Sequence, residues 1–259
     1  MCLNIGESKL SSNLIKFQVD SNGFTIDAEY DRETVEEVLP EVMERIHREY
    51  AERDSRTTVF LAAPGGTGKT TLSKIIERMF NERYPESLIA AGIDGFHYKN
   101  SYLETHYVNI PGGKIPLRSM KGFYNTYDTS LLERKIHSFV SCTGERWPIY
   151  SRILHDPVDD SAEMNADILL LEGNWLLDPD PRWSELRAYC NLSIFIEPPA
   201  EMLRSRLIDR KVRGGLSLKE AEEFYRNSDS KGVQRVLDSH VNADIYLVLD
   251  ETGHKLTLR

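Results

Sequence analysis

The stretch Ala63-Pro-Gly-Gly-Thr-Gly-Lys-Thr70 constrains this chain more than any other. An apolar, β-rich run, Thr58-Val-Phe-Leu-Ala62, precedes it. A segment with Leu72, Ile75, Ile76 and Met79 on one helical face follows it. Strand, Gly-rich turn and helix form the context of a phosphate-binding P-loop. Gly65, Gly66 and Gly68 can turn successive backbone N–H groups inward as an anion nest. The helix that starts near Lys69 adds its positive end. In such a loop Lys69 reaches the β- and γ-phosphates, and the Thr70 hydroxyl ligates the Mg²⁺ that travels with the nucleotide. Thr67 and Thr71 belong to the same nucleotide-binding set. The first loop position is Ala63 instead of Gly, so its φ must be negative. An ordinary Gly-rich turn is the bland alternative. It does not explain a Lys and two hydroxyls at the helix start.

Around this centre the chain reads as one α/β unit. Residues 1–56 form an N-terminal extension, with two short strands around Asn22-Gly23 and a helical stretch carrying Val35, Val38, Leu39, Val42, Ile46 and Tyr50. Pro40 is expected to kink or split that helix. Residues 57–259 form the main domain. Its buried strands are Thr58–Ala62, Leu88–Asp94, Ala166–Glu172, Leu192–Ile196 and Ala243–Leu249. These runs are continuously apolar and separated by helical segments, which argues for a five-stranded parallel sheet with helices on both faces.

Two acids stand at the ends of strands. Asp94 follows the second run, where open α/β sheets bind ligands, and suits a base facing the γ-phosphate. A turn carboxylate before Gly95 is its bland alternative. Glu172 ends the third run in the manner of a Walker B acid and is expected to hold Mg²⁺. Residues 99–127 have little regular pattern and read as a substrate or lid insertion, with a floppy surface loop as the alternative. Asp128 is expected to cap the helix after it. Trp147–Arg152 is followed by an expected polar loop to about Asn165. Residues 201–226 form an Arg-bearing lid, in which Arg206, Arg210 and Arg213 share one helical face before Gly214-Gly215. A solvated basic face is the alternative.

The formal net charge of −9 argues against a general nucleic-acid surface. Cys2, Cys142 and Cys190 are scattered and give neither a disulfide framework nor a metal spacing, so reduced thiols in a cytoplasmic protein are expected. No apolar run is long enough to span a bilayer. A small molecule is thus the expected partner, with no nucleic acid and no membrane. A homodimer is compatible with the chain, which carries no readable signal of assembly.

Ala63–Thr71, Gly92-Ile-Asp-Gly-Phe-His-Tyr98, Lys121-Gly-Phe-Tyr-Asn-Thr-Tyr-Asp128, Pro148-Ile-Tyr-Ser-Arg152, Ile168-Leu-Leu-Leu-Glu-Gly173 and the arginines to Arg213 follow one another as in a known group. The chain resembles the P-loop metabolite kinases: uridine kinase, phosphoribulokinase and bacterial pantothenate kinase. The Asp-Gly-Phe and Lys-Gly-Phe pieces resemble the pantothenate kinase branch most. The resemblance covers roughly residues 57–250. It implies strand order 2-3-1-4-5, ATP with Mg²⁺, and transfer of the γ-phosphoryl group to a small-molecule hydroxyl. By residue it implies Lys69 and Thr70 on phosphate and metal, Asp94 as base, Glu172 after the Walker B strand, and Arg210 and Arg213 in the lid. His97, Tyr98, Arg118, Lys121, Tyr124, Arg152 and Asn174 fall where an acceptor would bind. Arg152 stands where pantothenate kinases carry a His.

The acceptor reads as a sugar, a sugar acid or a pantothenate-like carboxylate from Arg118, Lys121 and Arg152. A nucleoside such as uridine or cytidine is the alternative, since Tyr98, Tyr102, Tyr107 and Tyr124 could stack on a base. A partner-coupled NTPase and a non-catalytic nucleotide sensor are the rival classes. Neither an Asn-Lys-x-Asp guanine motif nor a Leu-Ser-Gly-Gly signature is present.

Overall fold

The computed structural model describes residues 13–21, 24–53 and 55–259. The Asn22-Gly23 turn therefore lies outside the described residues. In chain order the strands are β1 (Leu14–Ser21), β2 (Phe24–Asp31), β3 (Thr57–Ala62), β4 (Leu88–Gly92), β5 (Tyr107–Ile110) and β6 (Gly113–Pro116), then β7 (Trp147–Ser151), β8 (Asp156–Ala162), β9 (Ile168–Gly173), β10 (Leu192–Glu197), β11 (Ile245–Leu249) and β12 (Leu256–Leu258). The helices are α1 (Leu39–Ala51), α2 (Lys69–Arg83), α3 (Asn100–Thr105), α4 (Thr129–Val140), α5 (Pro181–Ser184), α6 (Ala200–Arg213), α7 (Leu218–Phe224) and α8 (Ser230–Ser239).

The central sheet runs β4-β9-β3-β10-β11-β12. Its first five strands are mutually parallel, so in sequence order the parallel part is 2-3-1-4-5. Among the described residues the sheet has six strands, not five, because β12 pairs antiparallel with β11 from Leu247↔Leu258 to Leu249↔Leu256. Three residues, Leu-Thr-Leu, are too short a run for a periodic signal.

The pleat explains how continuous apolar strands serve two layers. Val59 and Leu61, Ile168 and Leu170, and Ile194 and Ile196 enter one core with α1, α2 and the N-terminal hairpin. Phe60 and Ala62, Leu169 and Leu171, and Phe195 enter the other, with α4, Trp147, Trp175 and Trp183. The extension thus shares the main hydrophobic core. It is further tied to the C-terminal turn: Asp31 N donates to His254 O at 2.9 Å and Leu256 N to Thr34 Oγ1 at 2.8 Å. Pro40 lies in the first turn of α1, and a π-helical turn, Thr34–Val38, runs directly into it. Residues 32–51 are helical without a break, so Pro40 lies inside the run. The π-helical turn directly before it is where the ladder departs from α geometry, and the stretch is not split into two separate helices.

Two other expectations are corrected. Residues 99–127 are not irregular: they hold α3, the β5–β6 hairpin and two short 3₁₀ turns. The expected polar loop after Arg152 is β8, which pairs with β7 from Trp147↔Ala162 to Ser151↔Asp156. After Gly214-Gly215 one unbroken helical run follows, α7 and α8, with a π turn at Tyr225–Asp229 between them. Asp128 does cap α4, accepting from Leu131 N at 2.9 Å.

Candidate active site

The loop between β3 and α2 is short because its glycines bend it. Gly66 and Gly68 have φ of 86° and 97°, the left-handed region that a Cβ makes costly. Ala63 is fully buried and is not among the residues with positive φ. Thr67 Oγ1 donates to Pro64 O at 2.8 Å and pins the loop from inside. From above, α6 packs on it: a Cβ at Gly66 would lie 3.2 Å from Leu207 Cγ. Arg206 Nη1 lies 3.3 Å from both the Gly66 and Thr67 carbonyls, to which it donates.

Lys69 is the first residue of α2 and is buried. Its Nζ donates to Pro64 O at 3.0 Å and to Asn174 Oδ1 at 2.7 Å. Asn174 therefore stands at the phosphate loop, just past β9. Burial pushes Lys69 below its ordinary pKa, and the fields of Glu172 and Asp94 oppose that while Arg210 adds to it. The same residue thus feels both acids and Arg210 of α6. Thr70 Oγ1 donates to Glu172 Oε1 at 2.7 Å. Burial raises Glu172, against the field of Lys69 and the Thr70 hydrogen bond. Gly92 leaves the room for this carboxylate, since a Cβ there would lie 2.8 Å from Glu172 Oε1.

Asp94 is exposed in a 3₁₀ turn directly after β4. It faces a cleft of about 350 Å³ that Thr70 and Glu172 also line, with Pro148, Tyr150 and Arg152 on the hairpin side. Tyr127 Oη donates to Asp94 Oδ1 at 3.4 Å. Tyr127 is buried, and burial with the fields of Asp94 and Glu172 holds its hydroxyl well above the usual phenol range, so it stays a donor. His97 Nδ1 lies 2.8 Å from the Asp94 carbonyl, and its ring is 3.9 Å from Tyr127. Burial lowers the His97 pKa, which keeps the imidazole neutral.

The remaining sequence-predicted residues divide. Arg152 lines the cleft, and Arg118 acts electrostatically on Tyr150. Lys121 is a staple: its Nζ donates to Asn100 Oδ1 and His155 O, both at 2.7 Å. Tyr124 is packed between guanidinium groups, Arg235 at 4.0 Å and Arg182 at 5.6 Å from its ring centre. Tyr98 stacks on Tyr102 at 4.4 Å. Thr71 follows the loop on α2, and Gly65 faces Asn174. Arg213 is exposed, its Nε bonding Asp209 O within α6. Sequence reasoning missed Tyr127 and Tyr150 as neighbours of Asp94. Both sit inside the motif stretches read above, but nothing local marks their hydroxyls.

The donor set fits a Mg²⁺–nucleotide: a backbone nest, one buried cation, one hydroxyl and one carboxylate converge. Among the described residues no group of three or more His, Cys, Asp or Glu could hold a metal alone, so a metal here would share its ligands with phosphate. Replacing Glu172 by Gln keeps the Thr70 contact but removes the charge. The Mg²⁺ concentration for half-maximal turnover is expected to rise roughly 10–100-fold, the scale for losing an orienting partner of a metal. A Mg²⁺ titration of the initial rate checks this.

Gly95 gives a second test. A Cβ there would lie 2.3 Å from the Pro148 carbonyl oxygen, a backbone atom that cannot swing aside. Gly95→Ala is expected to lose about 1–3 kcal/mol in urea unfolding, the range for overpacking. It should also pull Asp94 from the cleft and lower kcat.

The family model described as Phosphoribulokinase / Uridine kinase family matches residues 58–247. An "Uncharacterized protein YggC" of Escherichia coli is 38% identical over 244 residues, 92% of this chain and 98% of that one. A "Putative uridine kinase" of Schizosaccharomyces pombe is 27% identical over 206 residues, covering 77% and 86%. Among solved structures, a "putative fructose transport system kinase" from Silicibacter sp. superposes with a TM-score of 0.72 at 25% identity, covering 80% of this chain and 98% of that one.

Proposed function

The chain belongs to the phosphoribulokinase/uridine kinase family and is an ATP-dependent small-molecule kinase, and on that premise we propose how its residues divide the work. The acceptor is a hydroxyl of a sugar, a sugar acid or a related small acid. The observation that carries this reading is the single cleft shared by Thr70, Glu172 and Asp94, with Lys69 buried beside it. Mg²⁺, held through Thr70 and Glu172, would supply charge neutralisation on the phosphates. Lys69 and the loop N–H groups bind the β- and γ-phosphates, and Arg206 and Arg210 cover them from α6. Asp94 accepts the proton of the acceptor hydroxyl, oriented by Tyr127. The acceptor oxygen bonds to the γ-phosphorus as its bond to ADP breaks, and the proton passes from Asp94 to solvent.

A nucleoside acceptor is the second reading. The relative named as a uridine kinase favours it, as does the stack of Tyr98, Tyr102 and His106, with ring centres 4.4 and 3.6 Å apart. Incubating the protein with Mg²⁺, ATP and pooled metabolites tests the kinase reading. ADP should form only when an acceptor is present. Equal ADP formation without any acceptor would point to a partner-coupled NTPase instead.

A further inference from the structure

We propose that the acceptor carries an anionic group, a carboxylate or a phosphate, beside the hydroxyl that is phosphorylated, and that Arg152 receives it. This rests on the kinase reading above and narrows its substrate class. Cations on and around the cleft wall are mostly engaged. Lys74 pairs with Glu77 at 2.7 Å, Lys99 with Asp159 at 2.5 Å and Lys121 with Asp156 at 3.7 Å. Arg118 reaches Glu104 only at 4.0 Å, between two largely exposed side chains. Arg152 lines the same cleft as Asp94 and, among the described residues, has neither an ion pair nor a hydrogen bond.

The placement fixes what such a charge could do. Arg152 is the first residue past β7 and lines the cleft together with Pro148, Ile149 and Tyr150 of that strand. Tyr150 feels the fields of Asp94, Arg118, Asp156 and Arg152 together. Asp94 and Arg152 thus line one cleft, and both act electrostatically on Tyr150 between them in that lining. A hydroxyl facing Asp94 and an anion on the same small molecule can engage both. Two guanidinium groups, Arg152 and the weakly paired Arg118, offer planar forks suited to carboxylate or phosphate oxygens. A neutral sugar or a nucleoside presents no charge there. The size agrees: about 350 Å³ lies at the small end of ligand clefts. The plain alternative is a solvated arginine at a hairpin bend, which would leave turnover indifferent to its removal.

The experiment uses the full chain with Mg²⁺ and ATP carrying a radiolabelled γ-phosphoryl group. The acceptors are gluconate and glycerate, fructose 6-phosphate, and the neutral glucose, glycerol, fructose and uridine. Label should pass to an anionic member, with a KM at least roughly tenfold below that of its neutral counterpart. Arg152→Gln should raise that KM roughly 10–100-fold, the scale of a lost charge-assisted hydrogen bond, and erase the preference over the neutral partner. Its KM for ATP should stay within about twofold, because the lost contact touches only the acceptor. Carboxylate and phosphate arms report which anion the site takes. Transfer to uridine or another neutral compound as efficient as to the anions overturns the inference and leaves the kinase reading standing. So does an Arg152→Gln variant with unchanged preference. No label transfer to any member, with ADP formation indifferent to all of them, contradicts the kinase reading and the inference together.

Discussion

Asp94→Asn is expected to lower kcat by roughly 10²–10⁴-fold, the usual scale for losing a general base, with KM for ATP staying near that of the parent. The substitution keeps size and removes the charge that would accept the hydroxyl proton. Asp94 is exposed at the end of β4, open to an incoming ligand, and faces Thr70 and Glu172 across the cleft. The Tyr127 hydroxyl can still donate to the amide oxygen, so the turn is retained and the loss is chemical. Glu172 is the rival acid. It is buried and already accepts from Thr70, which suits a metal partner better than a base that must meet a substrate. Parallel kinetics of Asp94→Asn and Glu172→Gln separate the roles. A nearly normal Asp94→Asn beside a Glu172→Gln that is dead at saturating Mg²⁺ would exchange the two assignments.

Lys69→Met removes the buried cation of the phosphate loop. Burial disfavours the charge of Lys69, and it is compensated by a carbonyl, an amide and the fields of two acids. A bound triphosphate would add the anion this site is built to meet. kcat is expected to fall roughly 10²–10³-fold or more, as when a preorganised charge-stabilising donor is lost. The rise in melting temperature on adding Mg²⁺ and ATP should shrink in step, because that shift measures binding to the folded state. A variant that keeps both the thermal shift and the turnover would remove Lys69 from the phosphate site.

Much of this was legible along the chain, for reasons that can be named. The phosphate loop is contiguous, so its glycines, lysine and hydroxyls announce themselves together. The strands β3, β4, β9, β10 and β11 are apolar because the central ones are covered on both faces. The small hairpins were not legible. β5 and β6 are largely exposed, and β8 reads Asp-Pro-Val-Asp-Asp-Ser-Ala, so neither shows an apolar face with period two. The acid positions followed from where strands end. The hydroxyl of Tyr127 on Asp94 did not, because it depends on the Lys121–Asp128 segment folding back beneath His97. Lys121 and Tyr124 have the residue types of a binding wall, yet hydrogen bonds and packing engage them within the fold. Such partners lie far apart along the chain and leave no local pattern.

The most direct measurement of the central claim is acceptor-dependent transfer of the γ-phosphoryl group, followed by isolating the labelled product. With Mg²⁺ and ATP, label should appear in a phosphate ester of a small molecule, and ADP should form one for one with it. Release of inorganic phosphate at the same rate with and without every acceptor, and no labelled ester, would contradict the account.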